Sequence, residues 1–467
     1  MSLVDEVVLT GTRRTTPALD SFVVVPAGRA ELAAYHRLRH EVFVREQGLF
    51  AGSDRDDVDD DPRTVVLVAR AHDGEVLGGV RLHPALSGRD LGWWRGSRLV
   101  VAHDARLLLG VGAALVRAAC AEAESRGALR FDATVQAQAA ALFHRLGWVP
   151  RERLHLHGRP HVLVDWPVHR VQRLVDATKA ALGPLLTGLV DSGAGFLGDD
   201  GAPVPGTDVV AACDAILPSM VERDPEWAGW CAVLVNLNDL SAMGARPVGL
   251  LDAVGARDAS FARRVLRGLG EASRAWGVPV LGGHTQLGVP GALSVTALGR
   301  TTTPVPGAGG RAGHALRITA DLGGGWRPGA TGSQWDSSTH RTGAELRALA
   351  DVVPALAPAA AKDVSMSGLV GTAGMLAEAS GVRAVLDVAD VPAPDTAAPG
   401  DWLTCFPGFA MVTADHRDAA PRTALPAHVT SQVCGELTTG TGVGLRWPDG
   451  VVTEAVSMTV TGLGAAS

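Results

Sequence analysis

Hydrophobic and polar residues in the first third of the chain repeat with the two spacings that are typical of strands and helices. Asp73-Gly74 separates two apolar runs, which predicts a β-hairpin. The segment Gly110-Val-Gly112 leads into a run with apolar residues on one helical face. The predicted strands are 22–25, 64–71, 75–82, 98–102, 129–134 and two within 148–164, and the predicted helices are 29–44, 110–126 and 136–146.

The remaining two-thirds of the chain predict a second succession of strands and helices. Residues 168–190 have a helical pattern, and we expect them to bridge the two halves. Residues 278–285 are expected to form a strand that ends in a Gly-Gly loop. The other predicted strands are 208–214, 247–254, 292–299 and 314–320, and the other predicted helices are 226–245, 258–276 and one that ends at 380, with a Gly-rich connector at 307–313.

Length and composition limit the class of protein. A chain of 467 residues with 46% hydrophobic and 19% charged residues predicts several globular domains of mixed α/β and α+β class. The net charge of −7, the lack of Lys/Arg runs and an aromatic content of 4% argue against nucleic-acid binding. Five cysteines lie far apart without a C-x-x-C pair, and no apolar run reaches the ~20 residues of a membrane span. The first 20 residues lack the apolar block of a signal peptide, so we expect a cytoplasmic protein that binds no membrane.

An acidic loop at 198–201 is the most informative polar segment. Asp199 and Asp200 are adjacent there, and Asp214 follows at the end of a predicted strand. Crowded carboxylates repel one another unless a cation neutralises them, and Mg²⁺ takes one or two carboxylates together with water and phosphate oxygens. The loop therefore predicts a magnesium–phosphate site, although Asp-Asp-Gly is also ordinary turn chemistry.

Rare polar residues elsewhere add candidates. Asn236 and Asp239 are spaced i, i+3 in an apolar helical segment, so they either join the metal site or form a polar network that ties helix to sheet. Of the 42 basic residues only Lys179 and Lys362 are lysines, which leaves 42 − 2 = 40 arginines. A lysine retained against such a bias is a candidate for a specific role.

A strand that runs into Gly-x-Gly at a helix start exposes unpaired N–H groups beside the positive end of the helix dipole, which suits a pyrophosphate. Residues 98–101 come before this loop in the first third of the chain, Ala141-Leu-Phe-His-Arg-Leu-Gly-Trp148 comes after it, and 38–47 form a further distinctive segment. In these segments the first third resembles the Gcn5-related N-acetyltransferase (GNAT) family across about 145 residues. The resemblance implies binding of acetyl-CoA, or another acyl-CoA, by Val100, Val101, Gly110, Val111, Gly112 and Ala113.

Residues for proton transfer depart from that family. Leu107 replaces the Arg or Gln expected before the loop, and Phe143 replaces the tyrosine that serves as general acid. His144 is adjacent, but neighbouring residues on a helix point about 100° apart. Glu46, or a water held by it, is the candidate base. The alternative for Glu46 is a solvated carboxylate at a helix end.

Two further segments of the first third have a less specific chemistry. The Asp-rich stretch 53–61 does not match the EF-hand spacing, because Val58, Asp59 and Val65 occupy positions that need a ligand, a glycine and a glutamate. We expect a solvated loop there, with attraction of a cationic amine substrate as the second interpretation. Three histidines alternate on predicted strands, namely His155, His157 and His161. Because no set of carboxylates or cysteines lies near them in the sequence, a metal site is the less favoured interpretation.

Five polar motifs follow one another in the remaining two-thirds of the chain: Gly198-Asp-Asp-Gly201, Cys213-Asp214, Asn236-Leu-Asn-Asp239, Gly282-Gly-His-Thr285 and Lys362-Asp-Val-Ser365. With these motifs in this order, residues 195–465 resemble the aminoimidazole-ribonucleotide (AIR) synthase superfamily, which includes thiamine-monophosphate kinase and selenophosphate synthetase. The resemblance implies two domains, ATP and Mg²⁺ in their cleft, and a homodimer formed through the first domain. The implied metal ligands are Asp199, Asp200, Asp214 and Asp239, and Asn236 is implied to orient them. The residues implied to contact the nucleotide are Gly282, Gly283 and Lys362. The implied catalytic residues are His284 and Asp363.

Departures from this superfamily argue against its named members. Met366 and His284 stand where the kinases carry aspartates, and the reactive Cys or selenocysteine segment of selenophosphate synthetases has no counterpart.

Trp335-Asp336 is either a substrate loop or a tryptophan that anchors a loop on the core.

These observations predict a fusion of four segments: 1–166 with the acetyltransferase fold, a helical linker 167–194, an ATP/Mg-binding domain 195–310 and a C-terminal α/β domain 311–467. We expect a bifunctional enzyme of small-molecule nitrogen metabolism, in which an N-acyltransferase and an ATP-dependent module act on small substrates. The alternative is a sensor or scaffold that binds acyl-CoA and ATP without turnover.

Overall fold

The computed structural model describes residues 22–107, 110–189 and 195–466. The chain divides into two compact units, which meet in the sequence between Val168 and His169. None of the helices in the described ranges combines the length and the apolar character that a membrane crossing requires.

In the first unit, the described residues form a seven-stranded sheet with strand order β1-β2-β3-β4-β5-β7-β6. The hairpin predicted at Asp73-Gly74 joins β2 to β3, and Gly74 has the positive φ of 93° that such a turn requires. Helix α1 continues as a π-helical turn, His40–Glu46. The strands are β1 Phe22–Pro26, β2 Val65–Ala71, β3 Val76–Pro84, β4 Trp93–Val101, β5 Arg130–Gln136, β6 Val149–Leu156 and β7 Arg159–Trp166; the helices are α1 Arg29–Arg39, α2 Val111–Ser125 and α3 Ala140–Arg145.

The middle of this sheet opens between β4 and β5. These two strands are parallel and pair only from Trp93–Arg130 to Gly96–Ala133. Beyond that point each strand continues without the other, so a gap forms between the ends of β4 and β5. Helix α2 is the next α-helix after β4, and its capping residue Gly110 has a φ of 114°, a conformation that glycine adopts without strain.

The second unit begins with two short helices where the sequence predicted one bridging helix. They are α4 Arg170–Thr178 and α5 Leu182–Leu186, with an interruption at Lys179–Ala181. Val175 of α4 is fully buried. Both helices belong to the second unit, so the described residues 169–189 of the predicted linker are part of this unit.

A five-stranded sheet with strand order β11-β10-β12-β9-β8 follows among the described residues. Helix α7 starts at Pro225 after the capping residue Asp224, and 16 of its 18 residues are buried. Strand β12 alternates buried and partly exposed residues, whereas all eight residues of the edge strand β11 are exposed. The elements are β8 Ala202–Pro203, β9 Val209–Ala215, α6 Pro218–Arg223, α7 Pro225–Ala242, β10 Arg246–Ala256, α8 Ala259–Trp276, β11 Val280–Leu287 and β12 Ala292–Arg300.

The C-terminal part contains, in its described residues, a seven-stranded sheet of order β16-β19-β13-β20-β17-β21-β22 and a small sheet of β14, β15 and β18. Helix α11 follows the short buried strand β16. The elements are β13 Ala315–Ala320, β14 Gly325–Trp326, β15 Gln334–Asp336, α9 Gly343–Ala348, α10 Val352–Leu356, β16 Ala360–Asp363, α11 Gly368–Ala379, β17 Arg383–Asp387, α12 Pro399–Thr404, β18 Phe406–Pro407, β19 Ala410–Asp415, β20 Thr430–Thr438, β21 Val443–Arg446 and β22 Val452–Val456.

Candidate functional sites

The gap between β4 and β5 opens into a cavity of about 440 Å³. Val100 and Val101 of β4 line it, and so does Gly112 in the first turn of α2. The first turn of a helix leaves backbone N–H groups without intrahelical partners, so this end of the cavity offers donors to an anion. The other predicted loop residues, Gly110, Val111 and Ala113, are in the same helix start.

Glu46 is held by an arginine at the edge of this cavity. Arg106 donates two hydrogen bonds to its carboxylate, at 2.5 and 2.8 Å, and a third to the carbonyl oxygen of Val101 at 3.1 Å. The hydrogen bonds from Arg106 lower the pKa of Glu46. A carboxylate with a lowered pKa is a poorer proton acceptor. The structure therefore argues against Glu46 as the general base.

The histidines of the first unit differ in their relation to the cavity. His144 is exposed and lines a separate hollow with Ala140 and Arg145, so it is not placed to replace the missing tyrosine. Its neighbour Phe143 does line the cavity. His157 and His161 also line it, a position that the sequence analysis did not assign to either.

Arginines neutralise three aspartates of the Asp-rich stretch, so the prediction of a solvated loop is confirmed only for its exposed residues, such as Asp57 and Asp60. Arg39 is fully buried and donates to Asp54 at 2.6 Å and to Asp59 at 2.5 Å. Arg81 lies 2.5 Å from Asp56 and 2.8 Å from Asp59. Burial tends to raise the pKa of Asp59, but the hydrogen bond from Arg39 and the charge of Arg81 lower it below its ordinary value. The charges of Asp54, Asp56 and Asp59 are paired in this way and are not free to attract an amine.

In the second unit, three carboxylates from distant parts of the sequence meet. Oxygens of Asp200, Asp239 and Asp363 lie within 4.8 Å of one another. Burial raises the pKa of Asp239, and the negative charge of Asp363 raises it further. Burial likewise raises the pKa of Asp363, together with the charges of Asp200 and Asp214. We call Asp200, Asp239 and Asp363 the carboxylate cluster.

Lys362 and Asp199 lie beside the cluster in a different role from the predicted one. The Lys362 ammonium donates to the Gly198 carbonyl at 2.9 Å, to Asp199 at 3.0 Å and to Asp200 at 3.5 Å, which uses its three protons. The second oxygen of Asp199 accepts the Gly307 N–H at 2.8 Å. Lys362 thus neutralises the acidic loop and has no proton left for a phosphate, and Asp199 is not among the clustered carboxylates.

The donor set of the cluster fits Mg²⁺. It consists of carboxylate oxygens, which are the hard ligands that this ion takes, and their mutual repulsion leaves a need for positive charge. Within the described residues, the buried side-chain oxygen of Asn236 has no hydrogen-bond partner, while its amide donates to the Ala232 carbonyl at 2.8 Å. Asn236 therefore has one free acceptor on the helix that carries Asp239.

The predicted residues Gly282, Gly283 and His284 lie elsewhere. They are in the middle of the exposed edge strand β11, not in a loop. Gly283 pairs with Asp252 on β10, and two strands separate β11 from β9, which carries Asp214. Three strand spacings amount to about 14 Å. Within one chain, these three residues are therefore not brought to Asp214, with which the sequence analysis grouped them.

Lys179 is a residue that the sequence analysis did not assign to the site. It ends α4, and its positive charge acts to lower the pKa of both Asp214 and Asp363, against the larger raising effect of burial. Among the residues that the structure describes, none forms a hydrogen bond or ion pair with its ammonium group. The scarcity of lysines was the one sequence feature that drew attention to Lys179, but it did not show that this residue lies near Asp214 and Asp363.

Trp335 anchors its loop on the core. Its side chain is 2% exposed and its indole N–H donates to the Gly323 carbonyl at 2.7 Å. Asp336 accepts from the backbone N–H groups of Ser338 and Thr339. These contacts favour the anchoring interpretation over a substrate loop.

Comparisons with known proteins agree with both resemblances. Residues 31–148 match the acetyltransferase (GNAT) family, residues 198–301 the N-terminal domain of AIR synthase related proteins, and residues 309–448 their C-terminal domain. An uncharacterized protein of Synechocystis sp. is 35% identical over 223 residues, which are 46% of this chain and 69% of the relative. One from Methanocaldococcus jannaschii is 31% identical over 224 residues, 45% of this chain and 68% of the relative.

Kinases and synthases are among the more distant matches. A thiamine-monophosphate kinase of Synechococcus elongatus is 33% identical over 112 residues, which are 22% of this chain and 34% of the kinase. The solved thiamine monophosphate kinase of Aquifex aeolicus has 19% identity and a TM-score of 0.42, covering 60% of this chain and 98% of its own. The chain belongs to the AIR synthase-related family, and a GNAT-family acetyltransferase domain precedes its two AIR synthase-related domains in the sequence.

Proposed function

We propose that the first unit transfers an acyl group from acyl-CoA, with acetyl-CoA as the donor to test first, to the nitrogen of a small amine. The observation that carries this proposal is the cavity between β4 and β5, with the start of α2 at one end. Unpaired N–H groups at that helix start suit the pyrophosphate of a CoA. Backbone groups of β4 that are not paired with β5 are available to the rest of the donor.

We propose that the second unit binds ATP with Mg²⁺ and transfers a phosphoryl group to a small molecule. The carboxylate cluster supports this, since phosphoryl transfer needs mainly positioning and charge neutralisation. Asp200, Asp239 and Asp363 would hold the ion, which when bound supplies positive charge to phosphate oxygens. Lys362 holds the acidic loop in place, and the free ammonium of Lys179 is available to a phosphate. The kinase names of several relatives favour phosphoryl transfer over other uses of ATP.

The two activities together define a bifunctional enzyme of small-molecule nitrogen metabolism. We also propose that it is a cytoplasmic homodimer that pairs through the five-stranded sheet. Support for the dimer comes from β11 and the neighbouring β10, where Leu251, Leu281 and Leu287 are exposed. Leu281→Asp should convert the dimer to monomers in light scattering, and an unchanged mass would contradict this interface.

The ATP proposal is tested by Asp239→Asn, with Asp252→Asn as a matched control on the neighbouring sheet. We expect the cluster variant to lose Mg-ATP affinity by about tenfold or more in calorimetry, while the control binds like the wild type. Equal affinities in all three proteins would refute the metal assignment. Removal of Mg²⁺ with EDTA should abolish nucleotide binding in the wild type.

A binding-only role is the second candidate, because Phe143 stands in the cavity where a proton donor is expected. Purified protein incubated with acetyl-CoA, ATP, Mg²⁺ and a mixture of amine metabolites separates the two functions. Release of CoA and ADP above background supports the enzyme, and tight binding of both ligands without product supports the sensor.

A further inference from the structure

His161 has the position and the tautomer of a general base. It lies on β7 opposite Gln136, the last residue of β5, at a level of the sheet where β4 no longer pairs with β5. The residue is 8% exposed and lines the cavity.

A single hydrogen bond determines which ring nitrogen of His161 is free. The Nδ1 atom lies 2.9 Å from the carbonyl oxygen of Arg159. A carbonyl oxygen only accepts, so Nδ1 carries the proton and donates it. In the neutral ring, Nε2 then has the lone pair. Across the described ranges no group forms a hydrogen bond with Nε2.

Three other groups near the cavity are not placed or able to accept the proton. Glu46 is held by Arg106, Phe143 has no titratable group, and His144 is outside the cavity. His157 lines the cavity as well, with its ring packed on Phe50 at 4.5 Å between centroids, and it is the alternative that the test below includes.

We propose that His161 is the general base of acyl transfer in the first unit, an inference that rests on the acyltransferase function proposed above. The amine nitrogen forms a bond to the thioester carbonyl carbon, the carbon–sulfur bond breaks, and CoA leaves as the thiolate. The proton lost by the nitrogen goes to Nε2 of His161 and reaches the thiolate through solvent. The products are the amide and CoA, and the histidine returns to its neutral form.

The test uses His161→Asn in the full-length chain. Asparagine keeps a donor near the Nδ1 position for the Arg159 carbonyl and removes Nε2. His155→Asn, on the exposed face of β6, is the matched control. Acetyl-CoA and a panel of primary amines (glycine, ethanolamine, spermidine, histamine and tryptamine) serve as substrates, and released CoA is measured with a thiol reagent.

We expect His161→Asn to lower kcat by about 100-fold or more, with acetyl-CoA affinity in calorimetry within about threefold of wild type. The acidic limb of the pH profile of kcat/KM should disappear in this variant, whereas His155→Asn should retain the wild-type rate and profile. The assignment of His161 is overturned if the wild type is active and His161→Asn turns over at the same rate. It is also overturned if His157→Asn loses about 100-fold in kcat while His161→Asn does not. A wild type that transfers no acyl group to any of these amines at saturating acetyl-CoA overturns the acyltransferase function and the base together.

Discussion

Replacing Lys362 by methionine tests the contacts around the acidic loop directly. The side chain is 1% exposed and its ammonium group contacts Asp199 and Asp200, whose side chains are 1% and 7% exposed. Methionine has a similar length and no charge. The substitution therefore leaves buried carboxylates without their cation and creates little change in volume.

The expected loss of stability follows from this burial. Removing one partner of a buried ion pair costs about 3–5 kcal/mol, because the remaining charge stays in an environment that does not solvate it. For a unit of about 300 residues, unfolding entropy converts this to a decrease of roughly 5–8 °C in Tm. Asp199→Asn in the Lys362→Met background should recover part of the loss, since it removes one of the unpaired charges.

Scanning calorimetry of the full chain measures the effect on the second unit, and Lys179→Met provides the control. Lys179 is the other lysine of the chain, is partly exposed and has no partner for its ammonium group among the described residues. We expect this control to shift Tm by less than about 2 °C. Equal shifts for the two variants, or a Lys362→Met protein as stable as wild type, would refute the view that Lys362 neutralises the acidic loop.

Three further predictions concern other parts of the chain. Lys179→Met should weaken Mg-ATP binding in calorimetry by about tenfold, because it removes a free cation beside the carboxylate cluster, and unchanged affinity would contradict its proximity to phosphate. Arg39→Met should destabilise the first unit by about 3–5 kcal/mol in thermal denaturation. In the wild type, the pKa values of Asp56 and Asp59 are lowered in the folded state. Their contribution to the free energy of unfolding is therefore complete above pH ~4 and should be lost as the pH falls through the folded-state pKa values. Gly110→Ala should weaken acetyl-CoA binding by about tenfold, because a residue with a Cβ is strained at a φ of 114°, and wild-type affinity would show that this helix start is not used.

Features with a local cause were predictable from the sequence. Asp73-Gly74 predicted its hairpin because the turn conformation depends on those two residues. Gly110 predicted the start of α2 for a similar reason. The acidic loop and the position of Asp239 predicted a carboxylate cluster, because several separate motifs pointed to the same chemistry.

Features that depend on distant partners were not predictable in this way. The charge of Asp59 is paired by Arg39 and Arg81, which come from a helix and a strand whose relative position no local pattern shows. The two glycines at 282–283 suggested a loop, but pairing with β10 keeps them in a strand. Likewise, the composition marked Lys179 and Lys362 equally, and only the folded chain distinguishes the paired lysine from the free one.

The contacts of Lys362 also restrict how the acidic loop and strand β16 can move relative to each other. Its ammonium joins residues 198–200, which precede the first sheet of the second unit, to strand β16 of the C-terminal sheet, and the Asp363 N–H adds a 2.9 Å bond to Asp200. Separating the acidic loop from β16 would break these buried bonds at a cost of several kcal/mol. If the second unit binds ATP as proposed, the nucleotide should therefore exchange while the acidic loop and β16 stay joined.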